Sequence, residues 1–146
     1  ALKAAGNPQQ AIRLLRMMEV AHTAEAGEAA ARAVRESDDP EVKAAGLRLL
    51  GDPRELGLAR SCAVDESWVV RVAAARLLSR IGEAGDRELL IGMLKDAHWW
   101  VRYHAARALI ALPFNGPDDI DKIRAALNDR YAADMLEQVM AEARVR

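Results

Sequence analysis

Aromatic, imidazole and charged side chains concentrate in the segment DAHWWVRYHAARAL, residues 96–109. It contains two adjacent tryptophans, a tyrosine and two histidines, with an aspartate and two arginines beside them. Side chains of these types can hold a metal ion, grip the phosphates of a nucleic acid or bind a protein partner. Their spacing along the chain decides which of these chemistries is available.

The histidines are too few and too far apart for a metal site. The chain has His22, His98 and His104, and no His-Glu dipeptide or CxxC motif. His98 and His104 are six residues apart, which is about 240° of rotation on one helix, so they cannot share an ion. We therefore predict that the chain holds no metal.

Catalytic patterns are also missing from the sequence. Four serines and one threonine occur, with no Gly-x-Ser-x-Gly motif and no phosphate-binding glycine loop. The carboxylate pairs, Asp38-Asp39 and Asp118-Asp119, fall at predicted helix starts, where carboxylates interact favourably with the helix dipole. The sequence thus predicts no catalytic residue, no cofactor, no small-molecule substrate and no enzyme.

The charge balance argues against a polyanionic partner. The 146 residues include 21 Lys and Arg against 22 Asp and Glu, a formal net charge of −1. No long-range field then favours nucleic acid or anionic lipid. We expect no nucleic-acid partner.

The cysteine content and the apolar runs indicate a compartment. The lone Cys62 allows no internal disulfide and lies in an apolar helical context, so we predict a buried thiol and a reducing, cytoplasmic location. No apolar run approaches the roughly 18 residues of a membrane helix. Because the chain begins ALKAAG, without methionine and with helix-like composition, we predict a fragment of a longer protein, whose upstream segment could tether it to a membrane.

An internal repeat explains most of the chain. Residues 39–50, 67–78 and 98–109 superpose, with spacings of 28 and 31 residues. Each copy carries valine, a small residue and leucine at i, i+4 and i+8, which lie within about 80° of one another on a helix. We predict that this face is buried and that the small residue allows close helix approach. The matched sets are Val42, Val70 and Val101; Gly46, Ala74 and Ala105; and Leu50, Leu78 and Leu109.

A second amphipathic stretch follows each copy, so each repeat is predicted to be two antiparallel helices. Asn7-Pro8, Asp39-Pro40 and Asp52-Pro53 each place a capping side chain before a proline suited to the first helical turn. The sequence predicts one all-α domain over residues 1–146, an α-solenoid of stacked hairpins. Its predicted helices cover 9–21, 26–36, 40–50, 53–63, 67–81, 86–95, 98–112, 117–127 and 130–144.

The three aligned stretches resemble HEAT repeats, in particular the bacterial, phycobilisome-lyase-like type. The shared motif is an acidic loop residue, then Val-Arg, a run of alanines and leucine. The resemblance implies a right-handed superhelix of about four to five repeats that acts as a protein-binding scaffold. It leaves two alternatives: an accessory role in bilin attachment, and a HEAT-like DNA glycosylase built on Trp99, Trp100 and Asp96, for which the chain lacks a basic concave face. HEAT-repeat hydroxylases hold metals with His-Glu pairs, which this sequence lacks.

A second apolar stripe lies opposite the predicted core face. With Val101 at 0°, the side chains of Trp99, Tyr103, Ala106 and Ile110 fall between about 140° and 200°. Stacking of the repeats is expected to set Trp68 beside Trp99. Burial against a neighbouring helix is the favoured interpretation. The alternative is a protein-binding surface formed by Trp68, Trp99, Trp100 and Tyr103.

Two rows of basic residues follow the repeats: Lys43, Arg71 and Arg102, and Arg48, Arg76 and Arg107. The rows lie about 140° apart on the helix, so they do not form one phosphate-binding face. The first row is predicted to pair with Asp39, Asp65 and Asp96 in an acid and base ladder. His104 replaces an alanine of the other copies and is predicted to be a hydrogen-bonded packing residue. The leading hypothesis is a non-enzymatic scaffold with a protein partner.

Overall fold

The computed structural model describes residues 7–21 and 24–145, and within them it contains helices and no strand. The predictions that concern residues 1–6 and His22 fall outside these ranges. Nine α-helices occur in the described part of the chain, in agreement with the sequence prediction. They are α1 (Pro8–Ala21), α2 (Ala24–Glu36), α3 (Pro40–Leu47), α4 (Leu56–Cys62), α5 (Trp68–Ile81), α6 (Arg87–Met93), α7 (Trp99–Ala111), α8 (Pro117–Ala126) and α9 (Arg130–Val145).

The helices form two layers. The odd-numbered helices α1, α3, α5, α7 and α9 pack side by side, each against the next. The even-numbered helices cover this layer, since α2 packs on α3, α4 on α5, α6 on α7 and α8 on α9. The result is an all-α solenoid, as the sequence predicts. It has four stacked helical hairpins preceded by α1, and each copy of the repeat pairs with the helix before it, whereas the sequence prediction paired it with the helix after it. The right-handed sense of the superhelix stays a prediction.

The repeated valine, small residue and leucine form the core. Val70, Ala74 and Leu78 of α5 are all 0% exposed. Their counterparts in α7, Val101, Ala105 and Leu109, are equally buried. The prediction of a buried face is therefore confirmed. The alanine-rich centre lets neighbouring odd-numbered helices pack closely without a layer of bulky side chains between them.

Gly46 shows why the central position must be small. A Cβ atom placed on it would lie 2.6 Å from Cγ2 of Val34 and 3.0 Å from the backbone oxygen of Ala30. Both of those residues belong to α2, which crosses α3 at this point. The glycine thus permits the close approach of α2 and α3, where the other repeats have Ala74 and Ala105.

The predicted helix caps are present. Asp39 Oδ1 accepts hydrogen bonds from the backbone N–H groups of Glu41 (2.9 Å) and Val42 (3.2 Å). Asp52 and Asn7 accept in the same way from Arg54 and Gln10. The largest differences from the predicted boundaries are that α3 ends at Leu47 and that residues Pro53–Glu55 form a 3₁₀ turn before α4. The backbone N–H groups of residues 49 and 50 donate to carbonyl oxygens three residues earlier, so the chain after α3 forms a tighter, 3₁₀-like turn. The backbone is then extended at Asp52, before Pro53.

An acid and base ladder joins the repeats on the side of the first basic row. Lys43 Nζ donates to Asp65 Oδ2 at 3.1 Å, and Arg71 binds the Asp96 carboxylate with Nε at 2.8 Å and Nη2 at 3.1 Å. The hydrogen bond to Asp65 raises the pKa of Lys43 despite the opposing effect of burial. The predicted ladder is therefore confirmed at Lys43 and Arg71, whereas Asp39 caps α3 instead of joining it.

A second set of inter-repeat contacts was missed by sequence reasoning. Arg60 of α4 donates to the buried carboxylate of Asp86 at 2.6 Å, and Arg87 of α6 donates to Asn115 at 2.9 Å. Burial raises the pKa of Asp86, but the hydrogen bonds from Arg60 and from the backbone N–H of Glu83 outweigh it, and the pKa is lowered. These contacts tie the connections between hairpins together.

The remaining sequence expectations concern Cys62 and the membrane. Cys62 is buried, and burial raises the pKa of its thiol, so the side chain packs as a small apolar group. None of the helices in residues 7–21 and 24–145 is both long and apolar enough to span a bilayer.

Candidate protein-interaction surface

Aromatic side chains gather where α5 and α7 begin. Trp68 is the first residue of α5, Trp99 and Trp100 open α7, and Tyr103 follows one turn later. The three tryptophans are 41%, 41% and 49% exposed, respectively. The favoured expectation that the stripe would be buried is therefore wrong for its tryptophans. It holds further along the helices, where Ala75 and Ala106 are fully buried.

The rings at the start of α7 hold one another in place. Trp99 stacks on Tyr103, with ring centroids 5.2 Å apart and planes inclined by 11°. Trp100 stands edge-on to both, at 4.8 Å from Trp99 and 5.9 Å from Tyr103. Stacked and edge-to-face arrangements are the favourable geometries for aromatic pairs. These exposed rings are thus oriented before any partner arrives.

Trp68 joins this group through a different residue from the one expected. Its indole stacks on the imidazole of His98, with centroids 3.7 Å apart and planes inclined by 7°. His98 lies immediately before α7 and adopts the extended backbone of an N-cap. The expected neighbour of Trp68 was Trp99, and the ring that Trp68 contacts is that of the preceding residue, His98. The contact joins the second and third hairpins across their helix starts, and we call Trp68, His98, Trp99, Trp100 and Tyr103 the aromatic cluster.

Charged side chains border the aromatic cluster on the side of α9. The hydroxyl of Tyr103 donates a hydrogen bond to Glu142 Oε2 at 3.1 Å. The guanidinium of Arg107 lies 5.7 Å from the centroid of the same ring. Arg107 belongs to the second basic row, whose members Arg48, Arg76 and Arg107 are all exposed. An apolar patch with a partly basic border is thus presented along the odd-numbered helices.

His104 fills the space beneath this patch. Its ring lies 6.3 Å from that of Trp100 and 5.3 Å from that of Tyr103, centroid to centroid. Burial, aided by the positive charges of Arg76 and Arg107, lowers the pKa of His104 to about 4. The imidazole is therefore neutral at pH 7 and packs against aromatic rings. This confirms packing, but no hydrogen bond to the ring is found among the residues that the structure describes.

The arrangement is better suited to binding an apolar surface of another protein than to catalysis or metal binding. Half-exposed tryptophans are favoured anchors in protein interfaces. The carboxylate of Asp96 is occupied by Arg71 and by the backbone N–H of His98 at 2.8 Å. Within the described ranges, no three His, Cys, Asp or Glu side chains lie close enough together to hold a metal ion.

The structure brings three of the residues that the sequence singled out, Trp99, Trp100 and Tyr103, into mutual ring contact. The fourth, Trp68, contacts His98, which precedes Trp99 in the chain. Sequence reasoning missed His98 as the link and Glu142 as the hydrogen-bond acceptor. The helical wheel places His98 well away from Trp99, and only the stacking of hairpins carries Trp68 onto it. Glu142 lies 39 residues from Tyr103, and no sequence signal connects them.

Comparison with known proteins identifies the repeat. The family model of HEAT repeats matches residues 58–143, a range that runs from within α4 into α9 and includes the whole aromatic cluster. The match is to HEAT repeats in general and does not extend to a bacterial or phycobilisome-lyase-like subtype. No curated protein matches the chain.

Proposed function

This chain belongs to the HEAT-repeat family, and we propose that it is a non-enzymatic, cytoplasmic scaffold that binds a partner protein through the aromatic cluster. HEAT repeats generally serve as protein-interaction scaffolds. The single observation that carries the proposal is the exposure of Trp68, Trp99 and Trp100, at 41–49%, with Trp99 packed on Trp100 and Trp68 stacked on the neighbouring His98. Contiguous exposed aromatic surface of this kind marks interaction sites.

Preorganisation gives the mechanism. A side chain that is ordered only on binding costs about 0.5–1.5 kcal/mol. Here the rings are held by stacking, by the hydrogen bond from Tyr103 to Glu142 and by the packing of His104 below them. The solenoid fixes the spacing between Trp68 and Trp99 through the contact of α5 with α7. A partner therefore meets a surface that needs little rearrangement.

The test uses the full chain, affinity-purified from its native host and compared with two variants by quantitative mass spectrometry. Trp100→Ala removes the most exposed indole, and Met17→Ala removes an exposed apolar side chain of α1, outside the cluster. A partner recovered with the wild type and with Met17→Ala should be lost with Trp100→Ala. With purified components, the loss should be about 2 kcal/mol, roughly thirtyfold in affinity. Equal recovery with all three chains would refute the proposal.

The two alternatives receive less support. A glycosylase needs a free carboxylate beside its aromatic residues, but Asp96 is held by Arg71. Lys43 and Arg71 are likewise engaged in ion pairs, so Arg102 is the one member of the first basic row without a carboxylate partner among the described residues. Tight phosphate binding requires many contacts. An accessory role in bilin attachment would require a bilin-bearing protein among the recovered partners. The same purification therefore tests it.

A further inference from the structure

The ladder rung at Arg71 shows how this fold binds a carboxylate. Arg71 Nη1 donates to the backbone oxygens of Asp65 at 2.9 Å and Glu66 at 3.0 Å, which fixes the guanidinium against its own helix start. Its remaining edge, Nε and Nη2, then binds both oxygens of Asp96. This bidentate geometry is the strongest that arginine offers to a carboxylate.

Arg102 repeats the first half of this arrangement. Its Nη1 donates to the backbone oxygens of Asp96 at 2.8 Å and Ala97 at 3.2 Å, as Arg71 does one hairpin earlier. The second half differs. Helices α5, α7 and α9 begin 31 residues apart, and the residue 31 positions after Asp96 is Leu127. The fourth hairpin thus supplies leucine where the third supplies the acid.

Arg102 lies in the lining of an opening between the starts of α7 and α9. Its Nε is buried and has no hydrogen-bond partner among the residues that the structure describes. A cavity of about 350 Å³ lies there, lined by Lys95, Asp96, Ala97, Arg102, Asp129 and Tyr131. A buried donor left without an acceptor is costly, so the site favours a ligand that can accept.

The acidic residues of this cavity are already engaged. Asp96 is neutralised by Arg71, and Asp129 accepts from the backbone N–H of Ala132 at 3.0 Å, which caps α9. The remaining charges of the lining are the two positive charges of Lys95 and Arg102 and the negative charge of Asp129. The cavity therefore offers a positively charged, bidentate donor set to an incoming anion of carboxylate shape.

We infer that the cavity at Arg102 is a carboxylate-binding site, which takes the aspartate or glutamate side chain of an acidic segment in the partner. This inference rests on the proposed function for the source of the carboxylate. Trp99 and Arg102 are three residues apart, so they are neighbours on the surface of α7. A partner segment with an apolar residue next to an acidic one would contact the aromatic cluster and the cavity together.

The test measures the side-chain Nε–H signals of the arginines by NMR during titration of the full chain with acetate. Arg102→Lys assigns the signal of Arg102, and Arg71 is the internal control because its edge is already paired. We expect a saturable shift at Arg102 and none at Arg71 or at the exposed Arg107. No saturable shift at Arg102, or an equal shift at Arg107, would overturn the inference.

An acidic tetrapeptide of glutamates and its glutamine counterpart separate a peptide source from a small free carboxylate. The glutamate peptide should bind more tightly than acetate, and the glutamine peptide should not shift the Arg102 signal. Arg102→Gln should weaken the glutamate peptide by about tenfold or more. Equal affinity for acetate and the glutamate peptide would overturn the assignment to a peptide segment.

Asp129→Asn tests the internal alternative, in which Asp129 moves to pair with Arg102. If the site is open as described, removal of this negative charge should strengthen acetate binding. If the variant instead shifts the Arg102 signal of the unliganded chain and leaves acetate binding unchanged, Asp129 is the partner and the inference fails.

The native partner distinguishes the two proposals. A partner that is lost with Trp100→Ala but retained with Arg102→Gln would leave the scaffold proposal standing and refute the cavity's role. Saturable acetate binding at Arg102 with no partner for the aromatic cluster would refute the scaffold proposal alone.

Discussion

Helices α3 and α7 share the repeat's core positions, but they expose different side chains in their first turns. Val42 and Val101 occupy the same core position, and both are buried. At the first two helical positions α3 has Pro40 and Glu41, whereas α7 has Trp99 and Trp100. The comparison teaches that the core positions set how hairpins stack, while the exposed first turn is free to carry an aromatic surface.

The largest effect on stability is expected from truncation of the leucine that both copies of the repeat share. Leu50→Ala and Leu109→Ala should each lower the free energy of unfolding by roughly 2–5 kcal/mol, because both side chains are buried in the core. Urea denaturation of the two variants measures this. A cost below about 0.5 kcal/mol for Leu50→Ala, typical of surface changes, would show that α3 does not share the template.

Gly46→Ala sharpens the comparison at the central small residue. The added methyl group would overlap Val34 and the Ala30 backbone, so we expect destabilisation by about 1–3 kcal/mol. Gly57→Ala is the matched control, since it lies in helix α4 with open space around its Cβ position. That control should be stabilised by about 0.5–1 kcal/mol. Similar effects of both substitutions on the melting temperature would contradict the close approach of α2 and α3.

The stacked rings of Trp68 and His98 belong to the aromatic cluster, for which the start of α3 has no counterpart. A double-mutant cycle with Trp68→Ala and His98→Ala should give a coupling of about 0.5–1.5 kcal/mol in the free energy of unfolding. Thermal melts of the four proteins provide the measurement. Additive effects would mean that the two rings do not stabilise each other.

The smallest effect concerns pH and His104, which is alanine in the other two copies. Its pKa in the folded chain is about 4, below the ordinary value of 6.5. Above pH 6.5 both states are neutral; as the pH falls from 6.5 toward 4, only the unfolded chain takes up the proton, and stability is lost. The melting temperature of the wild type should therefore fall more between pH 7 and pH 5 than that of His104→Ala. An identical fall would show that the pKa of His104 is not lowered.

Sequence reasoning succeeded where contacts are local or periodic. The nine described helices, the caps at Asp39 and Asp52 and the buried set Val70, Ala74 and Leu78 follow from spacing of a few residues. Reasoning from the helical wheel failed for the tryptophans. The wheel shows that Trp99 points away from the core face, but it does not show whether a neighbouring helix covers that side.

The repeat in the sequence by itself indicated that this protein is a stack of helical hairpins, because copies that recur every 28 to 31 residues with the same apolar face can bury it against one another. Only the tertiary structure decided that Trp68 meets His98, that Arg60 meets Asp86 and that Arg102 opens onto a cavity. Each of these contacts joins residues 26 or more positions apart, or depends on one missing acid in the next hairpin. Such contacts are set by the offset between stacked hairpins, and the sequence of a single helix does not contain that distance.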